Sequence, residues 1–284
     1  MLVKGIALSV FLYSSFCNAE INVIDDTDTT VTLVAPAKRI VSLAPHLTEL
    51  LFSLDVGSRI VGTVRFSDFP EAAKSISVLG DAFAISIESI VASEPELVVA
   101  WHTGGANDIV AKLRALGIPV YVNEATDLES IAQSIRALAE LVGRDAFGEK
   151  LALSFADEVS RLQKRYAGTN KSAFFQISDQ SLFTVNDSHL IGQAMSVCGL
   201  HNIYGDSRIP VPIVSKESVL AADPEIIVIS QPIDSQRSPW IEKWSKIEGY
   251  AEKIRLINPA LISRPSLRMV QGIQELCGLV QGRP

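Results

Sequence analysis

Histidine and cysteine, which often serve as general bases, nucleophiles or metal ligands, are few in this 284-residue chain. No two histidines share the spacing that places two ligands on one helix face; they are His46, His102, His189 and His201. The sequence lacks a nucleophile elbow, a Walker loop, a dinucleotide-binding glycine pattern and a zinc-protease helix. We therefore expect no enzyme, catalytic cofactor or metal site. The net charge of −7 argues against a nucleic-acid partner.

Acidic side chains, in contrast, recur at matching positions in a segment that the sequence contains twice. Residues 86–100 return as residues 215–229, with seven of fifteen positions identical. The identical positions include Ser86 with Ser215 and Glu88 with Glu217. Each copy predicts a serine N-cap, a short helix with Glu in its first turn, a proline break and a buried parallel strand. The repeat indicates two similar α/β lobes, although helix–proline–strand junctions occur in any α/β protein.

Candidate binding residues lie where predicted strands end. Residues 39–44 and 59–64 predict buried strands, and a loop with two aromatic residues, Phe66 and Phe69, follows the second of them. These aromatics would cover either a ligand or a neighbouring loop. Trp101 ends the strand of the first repeat unit, and open α/β sheets bind ligands at the carboxyl ends of their strands. Trp101 is thus a candidate site residue, with a lid over the core as the alternative.

Two strongly helical stretches, residues 128–142 and 144–166, follow without an intervening strand. The second would form a stiff strut of about 35 Å. We expect an α/β fold of two Rossmann-like lobes with central parallel sheets, joined by one long backbone helix. The expected division is an N-terminal lobe over 20–125, a helical connector with the interlobe helix over 126–168, and a C-terminal lobe over 169–284.

The N-terminus predicts secretion. A basic start, an apolar run over 5–16 and small residues before Glu20 are typical of a cleaved signal peptide over 1–19, with cleavage after Ala19. Lipidation of Cys17 is a less favoured alternative, because Phe16 stands where that signal needs a small residue.

Two cysteines, Cys198 and Cys277, remain after cleavage. An even number in an oxidising compartment favours a disulfide between them, with two separate buried thiols as the alternative. The loop that such a bond would close is long, so the expected stabilisation is large.

Several segments together resemble a known family. They are RIVSLAP-HLTELLFSL from Arg39, the SDFP loop at 67–70, the unit at 86–101 with its second copy, and the stretch from VCG at 197–199 to VSKE at 214–217. They resemble the periplasmic solute-binding proteins of ABC importers for cobalamin, haem and iron-siderophores. The likeness covers residues 39–279 and is strongest to the cobalamin-binding members. It implies a periplasmic monomer that captures its ligand, cobalamin or another corrinoid, between two lobes.

The resemblance also implies roles for individual residues. Phe66 and Trp101 would form the first lobe's wall of the cleft, and Arg264 would lie on the second. Glu88 and Glu217 would dock onto arginines of the dimeric membrane permease, one lobe to each subunit. Either glutamate alone is also explained as a favourable charge in the first turn of a helix.

Four positions depart from the cobalamin-binding pattern. Expected aromatic residues are replaced by Ala82, Ile177 and Val211, and an expected Asp is replaced by Ala260. Phe83 and Phe183 are candidate ligand-binding residues that would compensate. Haem or a ferric siderophore is the alternative ligand, and His102 or Tyr121 would then be the axial ligand of haem. A periplasmic enzyme that uses the same cleft is the more distant alternative.

Overall fold

The computed structural model describes residues 20–81, 84–178, 181–231 and 238–280, and these ranges form ten strands and ten α-helices. The strands are β1 (Ile21–Ile24), β2 (Thr30–Leu33), β3 (Ile40–Ser42), β4 (Ile60–Gly62), β5 (Leu97–Trp101), β6 (Val120–Asn123), β7 (Lys171–Gln176), β8 (Leu200–Asn202), β9 (Ile226–Ser230) and β10 (Ile254–Ile257). The helices are α1 (Pro45–Ser53), α2 (Ile87–Ala92), α3 (Asn107–Ala115), α4 (Leu128–Val142), α5 (Asp145–Tyr166), α6 (Leu190–Val197), α7 (Lys216–Ala222), α8 (Pro239–Ser245), α9 (Pro259–Ile262) and α10 (Met269–Val280).

Two parallel four-stranded sheets form the framework, and β1 and β2 pair as a separate antiparallel hairpin. The first sheet has the order β4-β3-β5-β6, and the second has the order β8-β7-β9-β10. If the four strands of each sheet are numbered by their order along the chain, both sheets have the same spatial order, 2-1-3-4. The predicted α/β fold of two lobes with parallel sheets is confirmed. The shared strand order extends the similarity of the two repeat units to the whole sheet.

The repeated segment forms the same local structure in both lobes. Ser86 caps α2 by accepting a hydrogen bond from the Ser89 N–H at 3.1 Å, and Ser215 caps α7 in the same way from Ser218 at 3.1 Å. The cap satisfies a backbone donor that the first turn of a helix leaves free. Each helix leads through a proline into the third strand of its sheet, β5 or β9. The predicted caps, short helices and strands are confirmed.

A second acidic pair of the repeat has an internal role. Oε2 of Glu96 accepts a hydrogen bond from the Lys38 N–H at 2.6 Å, and Oε2 of Glu225 accepts one from the Ser172 N–H at 2.9 Å. Both backbone donors lie at the amino end of the first strand of their sheet, just before β3 or within β7. These carboxylates therefore hold neighbouring strands together.

Each sheet buries one face in a core of its own and the other face in a core that both lobes share. In the first sheet, alternate residues of β5 divide between the two: Val98 and Ala100 face the local core, whereas Leu97 and Val99 join the shared core. The second sheet divides in the same way, with Phe174 and Ile227 in its local core. Other residues of that sheet join the shared core, namely Ala173, Phe175, Ile226 and Val228. The two sheets thus rest on one continuous apolar core.

Helices α4 and α5 lie along each other within this shared core. A capping box between Asp127 and Ser130 begins α4, and Gly143 ends it with a left-handed φ of 69°. A Cβ at Gly143 would also lie 2.8 Å from Pro36 Cγ, so this position requires glycine. The 22 residues of α5 span about 33 Å. The predicted helix 128–142 is confirmed, and α5 begins one residue later than expected because Arg144 is its N-cap.

The division into 20–125, 126–168 and 169–284 stays a proposal: the first range contains the first sheet, the second contains α4 and α5, and the third contains the second sheet. The signal-peptide prediction and Cys17 lie outside the described residues. Within the described part of the chain, no helix combines the length and the apolar character needed to cross a bilayer.

A disulfide joins Cys198 to Cys277, as one reading of the two cysteines predicted. Cys198 is the C-cap residue of α6 and Cys277 lies in α10, and both are fully buried in the shared core. The bond closes a loop with a sequence separation of 79. It therefore ties two helices of the second lobe together.

We expect the double variant Cys198→Ala/Cys277→Ala to lose about 4 kcal/mol of unfolding free energy, because the closed loop no longer restricts the unfolded chain. Urea unfolding of the wild type and the variant under oxidising conditions measures this loss. The wild type under reducing conditions is the control and should show a similar loss. A loss below about 1 kcal/mol would contradict the chain-entropy argument.

Candidate functional site: a cleft between the two sheets

The carboxyl ends of the two parallel sheets face each other. Residues 65–70 follow β4, and Trp101 ends β5, so both lie at the carboxyl edge of the first sheet. Arg264 follows β10 and α9 at the corresponding edge of the second sheet, and it contacts Phe66 and Asp68 of the first lobe. Ligands of open α/β sheets bind at such edges. The candidate site is therefore the cleft between these loops.

Phe66 is held in an exposed and strained position. Its φ of 70° is in the left-handed region, which costs a residue with a Cβ roughly 1 kcal/mol or more, and the residue is 68% exposed. The next residue, Ser67, is buried, and its hydroxyl accepts a hydrogen bond from Thr48 at 3.3 Å. The backbone thus turns at Phe66 so that the polar neighbour is anchored and the ring stays in solvent.

Trp101 is partly exposed at the end of β5, so it is not sealed inside the first lobe. Its indole meets the ring of His46 edge to face, with ring centroids 5.5 Å apart. Gly104 packs against it closely, because a Cβ there would lie 2.6 Å from Trp101 Cε3. The two neighbours support the indole from within the lobe and leave part of it open to the cleft.

His46, which the sequence did not single out, supports Trp101 from below. The residue is 3% exposed, and Nε2 donates to Asn123 Oδ1 at 3.3 Å. Burial is the main cause that lowers the pKa of His46 to about 4; the positive charge of Arg264 acts in the same direction, and the hydrogen bond to Asn123 opposes it. His46 is therefore neutral at neutral pH. The sequence could have indicated His46 as a site residue, because it lies in the first turn of α1, soon after the carboxyl end of β3.

A buried carboxylate of the first lobe binds three side chains of the second. Glu49, on α1 and 2% exposed, accepts hydrogen bonds from Arg264 Nη1 at 2.8 Å, Ser266 Oγ at 2.5 Å and Arg268 Nη1 at 3.1 Å. Arg264 Nη1 also binds Asp68 Oδ1 at 2.8 Å, and its Nη2 donates to the Phe66 carbonyl at 3.1 Å. We call these five residues, Glu49, Asp68, Arg264, Ser266 and Arg268, the Glu49 cluster. The sequence reasoning missed Glu49, Ser266 and Arg268.

The second wall is more aliphatic than the first. Phe183 is half-buried, and its backbone pairs with that of Ile213, which is 65% exposed. Ile177 and Val211, where aromatic residues were expected, are half-buried, and Ile209 is 60% exposed. These residues lie on the loops that follow β7 and β8. Phe83 and Ala82 lie outside the described residues. The ligand-binding roles of Phe66, Trp101, Arg264 and Phe183 stay predictions.

Glu88 and Glu217 are exposed in the first turns of α2 and α7. Glu88 accepts a hydrogen bond from its own capping residue, Ser86, at 3.2 Å. The Glu217 carboxylate has no hydrogen bond or ion pair with any residue in the described part of the chain. This pair thus differs from Glu96 and Glu225, whose carboxylates bind the backbone of a neighbouring strand.

The haem alternative loses one of its two candidate axial ligands. Tyr121 is only 1% exposed and belongs to the shared core, and burial raises its pKa. The suggestion of Tyr121 as a ligand is wrong, because β6 is buried on both faces. His102 is exposed directly after Trp101. Across the described ranges, no group of three His, Cys, Asp or Glu residues is arranged to hold a metal ion.

The lowered pKa of His46 makes a prediction about stability. Between pH 6.5 and about 4 the unfolded chain binds a proton that folded His46 does not, so unfolding becomes easier as the pH falls. The full effect is about 3 kcal/mol, of which about 2 kcal/mol is lost by pH 5. Urea unfolding at pH 7 and pH 5 should show this component in the wild type and in His201→Gln, an exposed control. It should be absent in His46→Gln, and an equal pH loss in that variant would contradict the argument.

Comparison with known proteins agrees with this architecture. Residues 40–252 match the family model for periplasmic binding proteins. The chain is 32% identical over 244 residues to a vitamin B12-binding protein of Vibrio campbellii, a match that covers 85% of this chain and 89% of the relative. The crystal structure of the periplasmic vitamin B12-binding protein BtuF of Vibrio cholerae superposes with a TM-score of 0.76 at 30% identity, covering 87% of this chain and 97% of that one.

A more distant relative shares the fold alone. The apo haem-binding protein RhuT of Roseiflexus superposes with a TM-score of 0.74 at 22% identity, covering 86% of this chain and 98% of that one. The family match spans most of the chain, and the expected two-lobe fold is present. The chain belongs to the family of periplasmic binding proteins.

Proposed function

We propose that this protein captures vitamin B12 or a related corrinoid in the cleft between its lobes and delivers it to the membrane permease of an ABC importer. The observation that carries the proposal is the pair of exposed aromatic residues, Phe66 and Trp101, at the cleft edge of the first sheet. Relatives at 30–32% identity over 85% of the chain are vitamin B12-binding proteins. Members of the family are solute-binding proteins, and binding alone needs no catalytic group.

The two walls suit a large ring system with apolar faces and a polar edge. Phe66 and Trp101 offer aromatic surface on one side, where burying a ring against another is favourable by shape and area. Phe183 and the exposed isoleucines offer apolar surface on the other. Arg264 has five N–H donors, of which three bind protein atoms. Its remaining donors are suited to amide or carbonyl groups at the edge of a corrinoid.

Glu88 and Glu217 are the proposed contacts with the permease. They occupy equivalent positions in the two lobes and are exposed. Within the described residues, the Glu88 carboxylate bonds only to its own capping residue, Ser86, and the Glu217 carboxylate has no partner. A permease of two equal subunits needs two equivalent contacts, and charge-assisted pairs fix the orientation of a complex more than they add to affinity. We also propose that the protein reaches the periplasm through removal of residues 1–19 and acts there as a monomer.

Replacing Trp101 tests the ligand and the site together. We expect the wild type to bind cyanocobalamin at micromolar concentrations or below, measured by isothermal titration calorimetry. Trp101→Ala should bind about ten- to a hundredfold more weakly, because a buried aromatic contact contributes about 1.5–3 kcal/mol. Phe147→Ala is the matched control, since Phe147 is a partly exposed aromatic residue on α5.

The outcomes separate the two ligands. No heat from the wild type at micromolar cyanocobalamin would contradict the corrinoid proposal. A Soret band that forms with haemin and disappears in His102→Ala would favour haem instead. An equal loss of affinity in Trp101→Ala and Phe147→Ala would place the ligand away from the cleft edge.

The double variant Glu88→Ala/Glu217→Ala tests docking. We expect it to abolish uptake of labelled cyanocobalamin through the cognate importer while its affinity for the free ligand stays unchanged. The control is Glu242→Ala/Glu248→Ala, which removes two exposed carboxylates elsewhere on the second lobe. Uptake at the wild-type rate in the Glu88/Glu217 variant would show that this pair has only a structural role.

A further inference from the structure

The Glu49 cluster connects parts of the chain that are far apart in sequence. Glu49 lies more than 200 residues from its three partners in the second lobe, and all three reach the same carboxylate. Glu49 is 2% exposed and both arginine side chains are 17% exposed, so the contacts are largely shielded from solvent. Ion pairs in such surroundings are much less screened than pairs on the surface.

The charges of the cluster balance across the cleft. Two guanidinium groups from the second lobe face two carboxylates from the first lobe, Glu49 and Asp68. Removing one charge from a buried group of this kind leaves its partner uncompensated, which is strongly unfavourable. Separating the lobes would break the charge-assisted hydrogen bonds between the two arginines and the two carboxylates, because their geometry is met at only one spacing. The cluster therefore favours one spacing of the lobes.

The same two arginines also hold the loop that carries Phe66. Arg264 binds the Phe66 carbonyl and the Asp68 side chain, and the guanidinium of Arg268 lies over the Phe69 ring, 3.8 Å from its centroid. The loop thus has two polar contacts and one cation–π contact with the opposite lobe. The strained residue Phe66 makes one of these contacts through its carbonyl, and the next residue, Ser67, is anchored in its own lobe.

We propose that the Glu49 cluster acts as a latch between the two lobes and that Glu49 is the residue on which this latch depends. It orients Arg264 and Arg268, which fix the spacing of the lobes and position the Phe66 loop before any ligand arrives. Glu49 is a positioning residue: it acts through the two arginines. The latch itself does not depend on which ligand the cleft binds, but its effect on affinity rests on the proposed function.

The spacing of the lobes can be measured without a ligand. Spin labels at Ala92→Cys and Ala221→Cys occupy equivalent exposed positions of α2 and α7. Cys198 and Cys277 are joined in the disulfide, and the protein used begins at Glu20, without Cys17. Double electron–electron resonance of the labelled protein should give one narrow distance distribution. In Glu49→Gln, which keeps the shape of the side chain but removes its charge, we expect a broader distribution that extends to longer distances. The control Glu242→Gln, which breaks an exposed ion pair with Lys246, should match the wild type.

Milder variants keep the test valid if Glu49→Gln does not fold. Glu49→Asp keeps the charge but shortens the reach, and Ser266→Ala removes one hydrogen bond; both should broaden the distribution less than Glu49→Gln. An unchanged distribution in every folded variant of the cluster would overturn the latch.

Ligand titration adds a second measurement. If a broken latch leaves about a tenth of the molecules with the competent spacing, the apparent Kd for cyanocobalamin rises about tenfold. The two failures are distinguishable. If the wild type does not bind cyanocobalamin but the cluster variants broaden the label distances, only the proposed ligand is contradicted. A wild type that binds cyanocobalamin, with cluster variants of unchanged distances, contradicts only the latch.

Discussion

One continuous apolar core lies beneath both parallel sheets, and the arrangement of the cleft depends on it. Helices α4 and α5 pack within this core. Helix α4 contacts α1 of the first lobe and α6 of the second, and α5 contacts α6 and α10. Moving one lobe away from the other would expose part of this surface to water, at about 25 cal/mol for each Å² of apolar area. The core therefore restricts the lobes to small relative movements. Under the proposed function, the ligand would meet walls that are already in place, which lowers the entropy lost on binding.

The walls show how such a site is prepared. Phe66 is kept in solvent by a backbone conformation that a residue with a side chain rarely adopts, and Trp101 is supported by His46 and Gly104 so that only part of the indole is exposed. The strain at Phe66 costs free energy of folding, and the exposed part of each ring contributes no burial to the core. Exposed aromatic surface and local strain at the same edge are typical of a binding site, where a ligand covers the exposed rings. The opposite wall is more aliphatic, with Phe183 as its aromatic member, so the two sides of the cleft contribute different surfaces.

Local features of the fold were predictable from the sequence because they depend on neighbouring residues. The serine caps, the proline breaks and the helix over 128–142 follow from spacing within a few positions, and the structure confirms them. The repeat revealed two lobes, but not that Glu96 and Glu225 bind strand backbones whereas Glu88 and Glu217 do not. That distinction depends on which strand lies beside each carboxylate. The order of strands in a sheet cannot be predicted from the local pattern of apolar and polar residues.

The site was less predictable because its members meet only in the folded chain. Arg264 was singled out, but no local pattern indicated that Glu49 would bind it across the cleft. From the sequence alone, Glu49 looks like an ordinary polar residue on the solvent side of an amphipathic helix. His46 was noticed only as one of four scattered histidines, since its burial depends on Trp101 and Asn123. Tyr121 was misjudged, although the apolar run around it already indicated a strand covered on both faces.

The disulfide has a consequence for the timing of maturation. It joins α6 to α10. Helix α10 begins directly after Arg268, one of the two arginines that bind Glu49 of the first lobe. While the thiols are still reduced, this end of the second lobe is secured by non-covalent packing alone. Oxidation adds a covalent brace to the helix next to the cleft. The chain thus acquires its most rigid form only in a compartment that oxidises thiols, which under the proposed function is also where it meets its ligand.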